Sequence, residues 1–328
     1  MASSQTAFTV VQAGFLTTVQ DVGRPGLQRF GVSAGGALDG HALRVANLLL
    51  ANEETAAGLE ITLGGLRVSF AEPRLVSWCG GDFDVTVGGA PLAPGRVGLV
   101  QAGQDVFFNR ATVGCRAWLA LAGGIDAALV LKSRSTDLRA AFGGFYGRAL
   151  RSGDIVPLLS GPPSFDRKQQ QGLFSRSAPP EWARPAKASP VLRFIRGTDW
   201  HRFTPAAQQA LVGAEFTVSP DSNRMGARLE GPPLARADRG DLISEAVAPG
   251  TIQVPPSGQP ILLLGDCQTI GGYPKIGNVI TVDLPLAAQL SPGQRLRFRE
   301  VSMGEAHHLL LVREHQLSRF SVGISLQH

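Results

Sequence analysis

Polar side chains and two glycines interrupt an apolar part of the sequence at residues 265–277, GDCQTIGGYPKIG. The flanking runs PILLL and NVITVDL are typical of buried strands. Asp266, Gln268 and Thr269 would therefore stand at the mouth of the first strand. Lys275 is the only lysine after residue 187. An ammonium group at such a place suits a small anion or the carbonyl oxygen of an amide, where negative charge develops.

The rest of this segment predicts how such a site is built. Gly271 and Gly272 predict a turn with positive φ, whose successive N–H groups form an anion-binding nest. Tyr273 would form a wall or donate a hydrogen bond, and Asp266 would orient an amide nitrogen or a water. A plain hairpin turn with a polar tip is the alternative. We predict three catalytic and four substrate-binding residues here, namely Lys275, Tyr273 and Asp266, and Gln268, Thr269, Gly271 and Gly272.

The N-terminal segment TTVQDVGRPGLQRFGVSAGGALD likewise combines polar side chains with glycines. Gln20, Asp21 and Arg24 precede a Pro-Gly turn, and Ser33 lies in a glycine-rich loop before a predicted helix. The N-terminus of a helix beside such a loop favours anions. These four residues are therefore further candidates for substrate binding. The alternative for Asp21 and Arg24 is a structural role, as an intradomain salt bridge or a turn clamp.

Two spaced patterns recur in the same order in both halves of the chain. The pattern Asp-x-x-Arg-x-Gly-x4-Gly begins at Asp21 and again at Asp221. A second pattern places Gly, Gln and Phe at the end of each half, as Gly103, Gln104 and Phe108 and as Gly293, Gln294 and Phe298. Two ordered matches predict a duplicated β domain. An Asp–Arg clamp kept in both halves would give Asp21 and Arg24 a structural role.

Composition and strand patterning predict a mainly β fold. The 328 residues include 40 glycines and 22 prolines, which favour tight turns between many short strands. We predict two related β domains, either barrels or sandwiches, with few short helices and a C-terminal helix. The predicted domains cover residues 1–160 and 191–300. A proline-rich linker or crossing at 161–190 separates them, and a helical tail follows at 301–328.

Several function classes lack their sequence signatures. There is no P-loop, HExxH or GxSxG motif. Cys79, Cys115 and Cys267 are far apart and form no metal-binding pattern, so we predict no metal site. No lysine lies between two methionines, so we expect no biotin on this chain.

Charge and hydropathy limit the partners and the location. The net charge is +5, but the arginines are scattered and aromatic residues are few, which argues against a nucleic-acid partner. No apolar run approaches the ~20 residues that cross a bilayer, and no secretory signal is evident. We therefore expect no membrane partner and a cytoplasmic location.

The long motifs of the chain resemble one known family. TTVQDVGRPGLQRFGVSAGGALD, ANLLLANEETAAGLEITLGG, GTIQVPPSGQPILLLGDCQTIGGYPKIGNVITVDL and LSPGQRLRF are similar to the allophanate hydrolase subunit 2 family, also called the biotin-dependent carboxyltransferase family. That family includes the C subunit of 5-oxoprolinase and the Kip antagonist protein. The resemblance covers nearly the whole chain. Cys267 and Ile270 depart from the family pattern without removing a reactive group.

The resemblance implies two cyclophilin-like β-barrel domains and a hetero-oligomer. Its partners would be proteins similar to the B and A subunits of 5-oxoprolinase, and its substrate a small amide. The implied activity is the ATP-dependent hydrolysis of 5-oxo-L-proline to L-glutamate. Because no P-loop is present, the ATP site would be unorthodox or would lie on a partner. Two alternatives are transfer of CO2 from carboxybiotin to urea or a related amide, and a non-catalytic subunit that antagonises a kinase inhibitor.

Overall fold

The computed structural model confirms the mainly β fold, with 36% strand and 21% helix. A large part of the predicted linker lies outside the described residues. None of the described helices combines the length and the hydropathy that crossing a membrane requires. The structure describes residues 6–159, 172–185, 187–238, 240 and 242–325.

The chain divides into two compact units. The first unit comprises Met1–Gly23, Asp39–Ala186 and Leu317–His328. The second unit comprises Arg24–Leu38 and Lys187–Gln316. The segment Arg24–Leu38, which the sequence places in the N-terminal domain, thus belongs to the unit that contains the C-terminal strands. The predicted domain boundaries stay a prediction.

The first unit is a nine-stranded, curled half-barrel sheet. Its main path has the order β2-β3-β8-β4-β1-β9, while β5 pairs with β6, β7 and β8. The strands are β1 (Ala7–Ala13), β2 (Leu16–Gln20), β3 (Gly58–Thr62), β4 (Gly64–Phe70), β5 (Arg74–Val87), β6 (Ala90–Pro91), β7 (Val97–Val100), β8 (Asp105–Leu121) and β9 (Ile155–Pro157). The first unit also contains helices α1 (Gly40–Leu49) and α2 (Pro180–Ala183). A 3-10 turn at Gln28–Phe30 belongs to the second unit.

The core of the first unit follows from strand periodicity. Every second residue of β4 is buried, as expected for a strand with one face on a core. Three of the aromatic rings on the two longest strands, β5 and β8, pack together, and Trp78 meets Phe108 edge to face at 5.6 Å. Phe83 packs on both rings. Burial of these large apolar side chains is the main stabilising contribution of the sheet.

The second unit contains a closed seven-stranded barrel with the order β10-β17-β14-β15-β12-β11-β18. Its strands are β10 (Val191–Arg196), β11 (Glu215–Val218), β12 (Gly226–Glu230), β14 (Thr251–Gln253), β15 (Ile261–Leu263), β17 (Lys275–Val279) and β18 (Arg295–Glu300). Strands β13 (Glu245–Ala246) and β16 (Ile270–Gly271) form a separate antiparallel pair. The helices are α3 (Pro205–Gly213) and α4 (Leu284–Ala288), with 3-10 turns at Trp200–Arg202 and Thr281–Asp283.

Three predicted helices are present. The Asp39 side chain accepts a hydrogen bond from the N–H of Ala42 (2.8 Å) and so caps α1. Thr204 caps α3 in the same way through the N–H of Ala207 (3.2 Å), with Pro205 in the first turn. The C-terminal helix α5 covers Met303–Ser325.

The Gly-Gln pattern that predicted a duplication forms the same turn in both units. Gln104 accepts a hydrogen bond from the backbone of Gln101 through Oε1 (3.0 Å), and Gln294 does the same for Ser291 (3.0 Å). The glycine before each glutamine has positive φ, +78° and +80° respectively. Each turn leads into a strand with a buried phenylalanine, Phe108 or Phe298. This shared geometry supports the predicted duplication.

Replacing either turn glycine with alanine should destabilise only its own unit. A Cβ at Gly103 or Gly293 meets nothing within 4 Å, so the penalty of about 1 kcal/mol comes from the left-handed backbone alone. Hydrogen exchange should become roughly fivefold faster in β8 for G103A and in β18 for G293A. Gly40→Ala, an equally open position whose φ is not in the left-handed region, should cause no such loss. Equal exchange in both strands for each variant would contradict the prediction.

Candidate functional site

Lys275 is the first residue of β17, and its mostly buried side chain forms an ion pair. Its side chain is 11% exposed, and Nζ donates a short hydrogen bond to Glu245, whose side chain is 61% exposed. This hydrogen bond and the charge of Lys275 lower the pKa of the Glu245 carboxyl group. The Glu245 carboxyl group is therefore charged at neutral pH. The ammonium group lies at a hollow and not in bulk solvent.

A cavity of about 210 Å³ surrounds this ion pair. Tyr273, 46% exposed, stands at its wall and also borders two neighbouring hollows. Two cationic and two anionic side chains face the cavity beside apolar groups. The lining residues are Asp199, Arg202, Leu242, Ile243, Glu245, Gly271, Tyr273 and Lys275. The structure thus brings together Lys275, Tyr273 and Gly271 of the predicted site.

Backbone pairing fixes the position of Lys275 relative to Asp199. The Lys275 N–H donates to the Asp199 carboxylate (2.9 Å), and the Asp199 N–H donates to the Lys275 carbonyl (3.2 Å). The Arg202 N–H in turn donates to the Asp199 carbonyl (2.9 Å) within the 3-10 turn Trp200–Arg202. These bonds hold the Lys275 and Arg202 backbones in one rigid frame.

The predicted nest at Gly271 and Gly272 is wrong. Neither glycine has positive φ, which a nest of alternating backbone conformations requires. Gly271 instead pairs with Glu245 in the small β13–β16 sheet. A Cβ at Gly271 would lie 2.6 Å from Nε2 of Gln253, so glycine is needed there for close packing. The segment is a strand that passes a buried amide, and the tight turn is absent.

The Asp266 carboxylate was expected to face a ligand, but in the structure it is bound by an arginine side chain. It is 8% exposed and accepts two hydrogen bonds from Arg224, from Nε (2.8 Å) and from Nη2 (2.9 Å). Such a bidentate pair orients both partners strongly. Among the described residues, those that line the Lys275 cavity do not include Asp266. Its assignment as a catalytic residue stays a prediction.

Gln268 and Thr269 lie beside the cavity. Gln268 donates through Nε2 to Gln253 (3.3 Å) and lines an adjoining cavity of about 220 Å³, which Tyr273 also borders. The Thr269 carbonyl accepts a hydrogen bond from the N–H of Val247 (3.0 Å). Gln268 is therefore placed to extend the polar lining, whereas the described contact of Thr269 is structural.

Arg24 belongs to the second unit and lies close to Asp266. Its side chain is buried, and its N–H donates to the carbonyl of Ala34 (2.7 Å). A Cβ built on Gly35 would lie 3.6 Å from Nη1 of Arg24 and 4.0 Å from Oδ1 of Asp266. The guanidinium of Arg24 and this carboxylate therefore flank the same glycine. Ser33, two residues earlier, is half-buried.

Arg224 connects the glycine loop to the same carboxylate. Its Nη2 donates to the Gly36 carbonyl (2.7 Å), and the Gly35 N–H donates to the Gly265 carbonyl (2.9 Å). Of the two arginines that occupy matching places in the duplicated pattern, Arg224 binds Asp266 and Arg24 lies on the other side of Gly35, within the same unit. The geometry argues against a clamp between Arg224 and Asp221. Asp221 is exposed, whereas Arg224 is buried and pairs with Asp266.

Gln20 and Asp21 belong to the first unit and hold a buried loop. Asp21 accepts hydrogen bonds from the hydroxyl groups of Ser133 and Ser135 (2.6 Å each) and from the N–H of Arg134 (2.5 Å). Gln20 is fully buried and donates to the carbonyl of Thr136 (3.2 Å). These contacts favour the structural alternative for Asp21, while substrate binding by either residue stays a prediction.

Arg202, Asp199 and Glu245 were missed from the sequence. Their positions lie far from Lys275 along the chain, and none falls in a recognisable motif. Only the pairing of β13 with β16 and the closure of the barrel bring them to one cavity. Among the described residues, no group of three or more histidines, cysteines and carboxylates could hold a metal ion.

Cys267 should not react with iodoacetamide in the native protein at pH 8. Burial, with the nearby charge of Asp266, raises the pKa of its thiol to about 12. The ordinary pKa of a cysteine thiol is 9.0. The folded state therefore favours the protonated thiol, and the stability that this protonation gives is complete below about pH 9 and is lost as the pH rises toward 12. Mass spectrometry should find Cys267 labelled only after unfolding in urea. Rapid labelling of the native thiol would contradict this prediction.

A family comparison matches most of the chain. The model described as the carboxyltransferase domain, subdomains A and B, matches residues 30–300. The chain is 39% identical over 297 residues to the C subunit of 5-oxoprolinase from Escherichia coli (strain K12). That match covers 90% of this chain and 92% of the relative.

Larger proteins contain a similar region. The chain is 30% identical over 319 residues to the urea amidolyase of Lachancea kluyveri, covering 92% of this chain and 17% of the relative. The crystal structure of Kluyveromyces lactis urea carboxylase superimposes with a TM-score of 0.86 at 27% identity. It covers 98% of this chain and 30% of the neighbour.

Proposed function

The chain belongs to the family of the carboxyltransferase domain, subdomains A and B, and from this premise we propose that it is a subunit of an ATP-dependent 5-oxoprolinase complex. One observation carries the proposal. The chain is 39% identical to the C subunit of E. coli 5-oxoprolinase, whereas it is 30% identical to the urea amidolyase of L. kluyveri. The higher identity favours the activity of the 5-oxoprolinase subunit.

The residues around Lys275 supply the chemistry that the proposal needs. Opening a lactam places negative charge on the amide oxygen, and a fixed cation at that oxygen lowers the barrier. In the proposed mechanism, Nζ of Lys275 leaves Glu245 and donates to the lactam oxygen. Tyr273 closes one side of the cavity or donates a second hydrogen bond. Asp266, held by Arg224, orients the neighbouring loop.

The proposal assigns nucleotide chemistry to the assembly as a whole. ATP would activate the amide in the complex, with its site on a partner, since this chain has no P-loop. The partners would be B-like and A-like chains in a cytoplasmic hetero-oligomer. This chain's own task would be to bind the small amide and to polarise its carbonyl group.

The alternative function is carboxyl transfer to urea or a related amide. It is favoured by the TM-score of 0.86 with the K. lactis urea carboxylase structure. In that case the same lysine would polarise the carbonyl group of the acceptor amide, and a separate biotin-bearing protein would supply the carboxyl group.

Reconstitution separates the two functions. The chain is co-expressed with its B-like and A-like partners, and the purified complex is assayed for phosphate and glutamate release with 5-oxo-L-proline and ATP. The proposal expects one glutamate for each ATP hydrolysed and no response to urea. Urea-dependent turnover that requires an avidin-sensitive protein would favour carboxyl transfer and overturn the proposal.

A further inference from the structure

Two cationic side chains face the same small cavity. Lys275 and Arg202 both line it, and backbone hydrogen bonds through Asp199 fix their relative placement. A volume of about 210 Å³ lies below the roughly 300–1,000 Å³ of drug-sized pockets and suits a compact molecule. A compact ligand with two separate acceptor groups would therefore contact both cations at once.

Arg202 keeps donor capacity toward this cavity. Its contacts with acids use Nε, 3.5 Å from Asp199, and Nη1, 3.0 Å from Asp238. In the part of the chain that the structure describes, the Nη2 edge carries no such bond. A guanidinium that is partly fixed by acids retains a planar edge that suits a carboxylate. Its side chain is 30% exposed, so a ligand in the cavity can reach it.

The charge balance changes when a ligand enters. Glu245 is 61% exposed, and an exposed carboxylate separates from its partner at a small cost. Once Glu245 has moved into solvent, Lys275, Arg202 and Asp199 are the charged side chains left on the cavity wall. Asp238, which also pairs with Arg202, is balanced by Arg236. The cavity then carries a net positive charge of one and complements a monoanion.

We propose that Arg202 determines the specificity of this site by binding the carboxylate of a small cyclic amide whose carbonyl oxygen contacts Lys275. The inference rests on the proposed function and deepens it, because it names the residue that would recognise the carboxylate of the substrate. A neutral lactam would keep the contact with Lys275 and lose the contact with Arg202.

The test is direct binding of two ligands to the reconstituted complex by calorimetry. The ligands are 5-oxo-L-proline and 2-pyrrolidinone, which has the same ring without the carboxylate. For the wild type we expect 5-oxo-L-proline to bind about 10- to 100-fold more tightly, as one charge-assisted hydrogen bond allows. Arg202→Gln should remove this preference by weakening 5-oxo-L-proline alone, and Arg202→Lys should restore part of it.

Arg236→Gln is the matched control. Arg236 shares Asp238 with Arg202 but lines a different hollow, so its loss should leave the ligand preference unchanged. Equal weakening of both ligands by Arg202→Gln, or a wild type without preference, would overturn the inference. Turnover is a separate readout. A complex that prefers 5-oxo-L-proline through Arg202 but does not hydrolyse ATP would refute the proposed function and keep the inference.

Discussion

Lys275→Met should slow the hydrolysis of ATP that depends on 5-oxo-L-proline by roughly 100- to 1,000-fold in the reconstituted complex at saturating substrate. Methionine keeps a similar length but removes the donor to the amide oxygen, where charge develops during ring opening. The assay is steady-state phosphate release with glutamate measured in parallel. Complex formation, followed by size-exclusion chromatography, should be unchanged.

A solvent-exposed lysine provides the control for this experiment. Lys187 is exposed, and the hydrogen bond described for it is accepted by its backbone carbonyl from Gln294. Lys187→Met should therefore retain full activity in the same complex. Wild-type turnover by the Lys275→Met complex would show that the ammonium group has no part in the reaction.

Arg224→Met should destabilise the second unit by about 3–5 kcal/mol. The substitution leaves the carboxylate of Asp266 buried without its bidentate partner, and it also removes the hydrogen bond to the Gly36 carbonyl. The measurement is the free energy of unfolding in urea, with hydrogen exchange locating the loss in the second unit. The double variant with Asp266→Asn should recover part of the loss, because no buried charge then remains.

An exposed ion pair gives the contrast. Arg196 pairs with Glu300, but its side chain is 58% exposed, so Arg196→Met should cost at most about 1 kcal/mol. If Arg224→Met and Arg196→Met cost the same, the carboxylate of Asp266 is not the dominant source of the effect.

Local features of the fold could be predicted from the sequence. Short β-branched strands, the caps at Asp39 and Thr204, and the turns at Gln104 and Gln294 depend on residues close together in the chain. Local backbone preferences and capping bonds decide these elements, so pattern and composition suffice. The resemblance to the family also depended on contiguous motifs.

The site depended on pairings that no local pattern reveals. Glu245 contacts Lys275 only because β13 pairs with β16, and Arg202 enters the cavity through a turn bonded to Lys275. Gly271 and Gly272 were predicted to turn because glycine permits positive φ, but neither has positive φ and Gly271 pairs with Glu245 in an extended strand. A glycine in sequence indicates freedom of the backbone, and tertiary contacts determine how that freedom is used.

The strand order of the closed barrel has a consequence for how the protein folds during its synthesis. Strand β10, the first of the barrel to leave the ribosome, pairs on one side with β17 and on the other with β18, the last two to be made. Neither edge of β10 is paired until β17 and β18 have also been synthesised. The cavity at Lys275 therefore forms late, and a chain cut before residue 295 would expose an unpaired edge that invites aggregation.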